Sequence, residues 1–211
     1  MIRLDIFSDP VCPWCYIGKA YLDRALAARG DHPFAIEWQP FQLNPDMPAG
    51  GMDRASYLER KFGGKAQAVQ IYARVEEAAR AAGLVIDFGN IPRIPNTLDA
   101  HRLIHWAGLE ARQTGVKAAL LQAYWRDGRD IGDTGTLADI AGEVGLDRAV
   151  MARLLAGDAD RAAIAARDAH ARTRGINAVP TFVIADRHVL SGAQPPEIWA
   201  RVMTDLESQA S

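Results

Sequence analysis

Cysteine is nearly absent from this chain: 211 residues hold two, Cys12 and Cys15. Two cysteines three apart cannot staple a domain of this size. With 49% apolar residues the chain can build a core without them. No second cysteine pair exists to complete a four-ligand zinc site, so no metal is expected. His101 and His105 sit at i, i+4 without a Glu beside the first, so the zinc-protease pattern is missing. They read as helix-surface or core histidines. Charge of one sign is also lacking: the net value is −2. Nucleic-acid binding requires a basic, phosphate-neutralising surface, and none is expected here. No apolar run reaches about 18 residues, which argues against a membrane-spanning helix. The opening "MIRLDIFSDP" carries Asp5 and no long apolar stretch, unlike a secretory signal. The expectation is a cytoplasmic protein with no membrane partner. Internal repeats and low-complexity tracts are lacking too.

What is present alternates in character. "IRLDIF" (2–7) reads as a strand, broken by Ser8, Asp9 and Pro10. From Pro13 to about Arg29 apolar residues recur at helical spacing, and Gly30 ends the run. "PFAIEWQPFQL" (33–43) reads as a second strand, with Pro40 marking an edge or an end. Residues 44–51 form a loop by composition. From Ala55 to about Arg174 the pattern is helical, in pieces at 55–62, 65–82, 97–112, 115–127, 136–144, 147–155 and 158–174. Asn96 followed by Asp99 resembles a cap for the third piece. Then "TFVIA" (181–185) and "HVLSG" (188–192) read as a hairpin turning at Asp186-Arg187, and Pro195-Pro196 opens a last helix.

This order predicts an α/β fold carrying a large all-helical insertion. The expected division places the α/β unit at 1–45 and 156–211 and the insertion at 46–155.

Cys12 falls at the turn from strand to helix, where unpaired amide hydrogens favour negative charge. Cysteine pKa values at such positions fall from about 8.5 to as low as about 3.5. Pro13 suits the first helical turn. Trp14 shields the site without adding charge. Cys15 lies one turn deeper. The expectation is therefore an exposed Cys12 thiolate as nucleophile and a more buried Cys15 as resolving thiol. A second segment, "GINAVPTFVI" (175–184), puts Val179-Pro180 just before a strand. The residues alone leave open whether that bond is trans or cis.

"SDPVCPWCYIGK", "EWQPFQLNP", "NTLDAHRL" and "GINAVPTFVI…SGAQP" together resemble the DsbA-like branch of the thioredoxin superfamily, in particular the FrnE-like group. The resemblance implies a thioredoxin-like fold with a helical insertion, a cis Val179–Pro180 bond against the Cys-Pro-Trp-Cys turn, and thiol–disulfide oxidoreductase activity. It implies catalytic Cys12 and Cys15 and a substrate platform of Pro13, Trp14, Val179 and Pro180. An extended peptide would pair there with exposed Val179 amide groups. Substrates would be disulfide- or thiol-containing proteins or peptides, with no bound cofactor beyond the Cys12–Cys15 disulfide.

Asn96, Thr97, His101 and Arg102 also resemble a helix start shared by 2-hydroxychromene-2-carboxylate isomerases and kappa-class glutathione transferases. That likeness implies a glutathione cleft at these four residues, with glutathione as reductant or co-substrate. It makes a glutathione-dependent isomerase or transferase the alternative reading. A binding module that uses an apolar groove without turnover is a third.

Lesser candidates remain. Glu37 is either a proton relay to Cys15 or, preferably, a solvent-exposed acid. Trp38, Trp106 and Trp125 read as core or cleft walls. Arg161, Arg167, Arg172 and Arg174 alternate with acids and read as a solvated helix face.

Overall fold

The computed structural model describes residues 1–63 and 65–208; the last three residues of the expected second α/β part lie outside them. β1 (Ile2–Ser8) runs into α1 (Pro13–Arg29), which crosses back to β2 (Phe34–Pro40). A two-residue strand, β3 (Met52–Asp53), precedes α2 (Arg54–Phe62) and α3 (Lys65–Ala81). It pairs antiparallel with β4 (Arg93–Ile94). Five helices follow: α4 (Leu98–Leu109), α5 (Gln113–Trp125), α6 (Thr134–Glu143), α7 (Arg148–Ala156) and α8 (Arg161–Thr173). β5 (Thr181–Ile184), β6 (His188–Ser191) and α9 (Pro196–Ser208) close the chain.

The main sheet has the order β2-β1-β5-β6. β1 and β2 are parallel; β5 pairs antiparallel with both β1 and β6. This is a thioredoxin-like α/β fold with a large helical insertion between β2 and β5. Its core joins the sheet (Leu4, Ile6, Phe34, Trp38, Phe182) to the helical residues Leu103, Leu120 and Leu121. Burial of that continuous apolar surface is the main favourable term for such a fold.

Several details differ from the sequence expectation. The second strand stops at Pro40, because from Phe41 on the backbone is engaged by α8 rather than by a neighbouring strand. Asp168 accepts from the Gln42 amide at 2.8 Å. The hairpin turns one residue early: Ala185 and Asp186 take the left-handed conformation (φ 51° and 56°) and β5 ends at Ile184. The β3–β4 pair lies in segments without strand periodicity. The N-cap of α4 is Thr97, which makes no side-chain cap bond; Asn96 just before it accepts from the Leu98 amide at 2.9 Å, and Asp99 bonds Arg102 instead of completing a capping box. Asp53, Asp133 and Asp147 cap α2, α6 and α7.

Candidate functional site

The two cysteines are free thiols at the start of α1. Cys12 is the N-cap, and its sulfur accepts from the Cys15 amide at 3.3 Å. The Cys12 amide in turn donates to Asp9 O at 3.0 Å. These bonds wind the chain from strand to helix. From the other side, the Trp125 indole of α5 donates to Pro10 O at 3.1 Å and holds the turn in place.

The Val179–Pro180 bond is cis, and the Cys12 thiol donates to Val179 O at 3.5 Å. Gly18 permits this approach. A Cβ there would lie 3.0 Å from Pro180 Cγ and 3.4 Å from Ala193 Cα. Phe7, Phe41, Val179 and Val183 pack with both cysteines.

Here the sequence expectation needs correction. Cys12 is not an exposed thiolate: it is 3% exposed, against 1% for Cys15. Burial pushes the Cys12 thiol well up, and its hydrogen bond with Cys15 pushes the same way. The pair instead places its negative charge toward Cys15. Burial alone would raise Cys15 as well, but the hydrogen bond from Cys12 and the charge of Lys117 bring it below the ordinary thiol range. The buried Ser8 hydroxyl, facing Cys15, adds a smaller pull. Of the expected platform, Trp14 is exposed at 40% and Pro13 is half-buried, while Val179 and Pro180 are buried.

Behind the dithiol lies a polar cluster. Asp9 is fully buried; its carboxylate accepts from the Leu43 amide at 2.7 Å and the Val11 amide at 3.5 Å. His101 Nε2 stands 3.6 Å from it and has no hydrogen-bond partner. Lys117 of α5 is 1% exposed, with its ammonium 5.5 Å from the Trp38 ring centroid. Burial lowers its pKa to about 8, against attraction from Cys15, Asp9 and Cys12.

Sequence reasoning does not single out the buried charges Asp9 and Lys117. Asp9 reads only as a strand breaker. Lys117 left one signal: it occupies a position in the same stripe as Leu120, Leu121 and Tyr124, where an apolar residue belongs.

The four residues expected to line a glutathione cleft are engaged in the fold. Arg102 is fully buried. It donates to Leu154 O, Leu155 O and Gly157 O at the end of α7, to Ala159 O and to Asp99. Leu154 O takes the Gly157 amide of the cap as well, and a cation at this C-terminus is favoured by the helix dipole. Asn96 pins the Met47 carbonyl and the Gln42 side chain. Thr97 is buried, and His101 faces Asp9.

Glu37 is half-exposed and pairs with Arg3 and Arg167, away from the cysteines. Trp38, Trp106 and Trp125 are core. The arginines of α8 are more than a solvated face. The Arg172 guanidinium lies 4.1 Å from the Phe41 ring centroid and bonds Gln42 O and Asp168. Arg167 bonds Gln39 at 2.6 Å. Among the described residues, no cluster of three or more His, Cys, Asp or Glu could hold a metal, and no helix is long and apolar enough to cross a membrane.

The chain belongs to the DSBA-like thioredoxin domain family, whose pattern matches residues 3–203. It is 28% identical over 213 residues to the uncharacterized protein YwbO of Bacillus subtilis (strain 168), covering 99% of this chain and 98% of that one. It is similar to the probable DsbA oxidoreductase SCO1869 from Streptomyces coelicolor: TM-score 0.84, 29% identity, 97% of this chain and 89% of that one. A 2-hydroxychromene-2-carboxylate isomerase structure shares the fold at TM-score 0.74 and 16% identity, covering 99% and 97% of the two chains. Membership of the DsbA-like family supports a redox enzyme in general terms.

Proposed function

We propose that the protein is a thiol–disulfide oxidoreductase that exchanges disulfides with protein or small-thiol substrates through Cys12 and Cys15. One observation carries this reading: the only two cysteines stand together at the start of α1, with Cys12 bonded to the carbonyl that precedes a proline turn. In such chemistry a substrate thiolate and Cys12 form a mixed disulfide, and Cys15 closes or opens the internal bond. Trp14 offers an exposed apolar surface beside Cys12. No acceptor within the described residues is bonded to the Val179 amide hydrogen. Once a substrate displaces the Cys12–Val179 contact, both polar groups of Val179 can pair with an extended peptide.

The test compares wild type with Cys12→Ser in insulin reduction and in dithiol-peptide oxidation. Wild type should turn over and the variant should fall to background, while Cys15→Ser should accumulate the mixed disulfide. Equal turnover by wild type and Cys12→Ser would end the reading. The glutathione-dependent isomerase or transferase alternative has less support, because Arg102 and Asn96 already bond internal partners.

A further inference from the structure

Resting on that dithiol reading, we propose that Lys117, carried by the helical insertion, is the countercharge that receives the departing Cys15 sulfur as a thiolate, so that the protein acts as a disulfide donor to substrate dithiols.

A buried ammonium is costly unless a negative charge accompanies it. Lys117 makes no ion pair within 4 Å among the described residues. The nearby Asp9 carboxylate is held by two backbone amides and faced by His101. The groups facing Lys117 are Cys15, Asp9 and Cys12, which attract it, Lys19, which repels it, and the Trp38 ring. Cys15 is the strongest attractor, and Lys19 is paired with Asp23. Lys117 is therefore a buried cation without an ion pair, and of the groups that attract it the cysteines carry charge only when the disulfide is open.

A substrate thiolate attacks Cys12 Sγ; the substrate–Cys12 bond forms, the Cys12–Cys15 bond breaks, and the electron pair stays on Cys15. The second substrate thiolate attacks the substrate sulfur of the mixed disulfide. The substrate disulfide forms, and Cys12 leaves. The substrate loses two electrons and the enzyme disulfide gains them. Of the two protons released by the substrate thiols, one goes to Cys12, whose thiol is favoured by burial. The other goes to Lys117, which stands as ammonium beside the Cys15 thiolate and as amine when the disulfide has closed. Lys117 is thus a positioning residue for charge, contributed from outside the α/β unit.

Three readouts test it. Equilibration with glutathione and its disulfide should place Lys117→Met at least tenfold further toward the disulfide than wild type, about 30 mV for a two-electron couple. In Cys12→Ser, absorbance at 240 nm should show Cys15 ionising at lower pH with Lys117 present than with Met. In the wild type, which needs no variant to fold, the NMR titration of the Lys117 side chain should have its midpoint higher in the dithiol than in the disulfide form. Identical Lys117 titrations in the two forms, or an equilibrium within twofold of wild type in Lys117→Met, would overturn the proposal. A wild type that forms no Cys12–Cys15 disulfide with glutathione would instead remove the oxidoreductase reading beneath it.

Discussion

Two buried cations, one helix apart, are treated in opposite ways. Arg102 on α4 meets four carbonyls and one carboxylate, so every direction of its guanidinium is answered. Lys117 on α5 meets an aromatic ring and, among the described residues, no carboxylate within 4 Å. Arginine suits the first role because its planar fork offers five donors and it does not lose its charge. Lysine suits the second because its pKa moves with its surroundings. A satisfied buried cation anchors one helix to another; an unsatisfied one next to ionisable sulfur is placed to change its protonation state.

The largest expected effect breaks the first half of that contrast. Arg102→Met strands the carbonyls of α7 and the Asp99 carboxylate. Removing one partner of a buried charged network costs about 3–5 kcal/mol, which for a chain of this size lowers the melting temperature by roughly 10 °C. The redox equilibrium of the folded variant should stay within twofold of wild type, measured against glutathione. A normal melting point with a displaced equilibrium would erase the distinction between the two cations.

Lys117→Met should do the reverse to stability in the reduced protein. Lys117 has a folded pKa of about 8 against an ordinary 10.5. Below pH 8 both folded and unfolded lysine carry the proton, and the folded state bears the full burial penalty. Between pH 8 and 10.5 the unfolded chain binds more protons, so wild-type stability rises with pH. The variant should therefore exceed wild type by at most about 3 kcal/mol below pH 8, with the gap closing by pH 10.5. Urea unfolding across that range checks it; parallel curves would contradict it.

The smallest effect is a control. Arg148 pairs with Asp139 at 2.6 Å, but both side chains are about half-exposed. Arg148→Ala should change stability by no more than about 0.5 kcal/mol, within the usual range for surface pairs.

The contrast also shows what the sequence made legible. Local signals carried the strand-to-helix turn at Cys12, the helix from Pro13 to Arg29 and the return to β structure after residue 180, because periodicity and caps are read within a few residues. The same local reading leaves Cys12 exposed, whereas the burial that governs its thiol comes from Phe41 and Val179, far along the chain. The structural bonds of Arg102 lie outside that local reading too, because the carbonyls it meets at the end of α7 are more than 50 residues away. Lys117 was visible only as a charge in an apolar stripe, a pattern that by itself does not name a partner.

One contact bears on how copies of the protein meet one another. Gln113 donates to Trp38 O at 3.2 Å and accepts from Trp38 N at 2.8 Å, so one side-chain amide acts as a surrogate peptide unit along the outer border of β2. An uncovered border of a sheet is a template for a foreign strand. With that rung already occupied from within, a neighbouring molecule cannot zip continuously along β2, and crowding has one fewer route to intermolecular sheet growth.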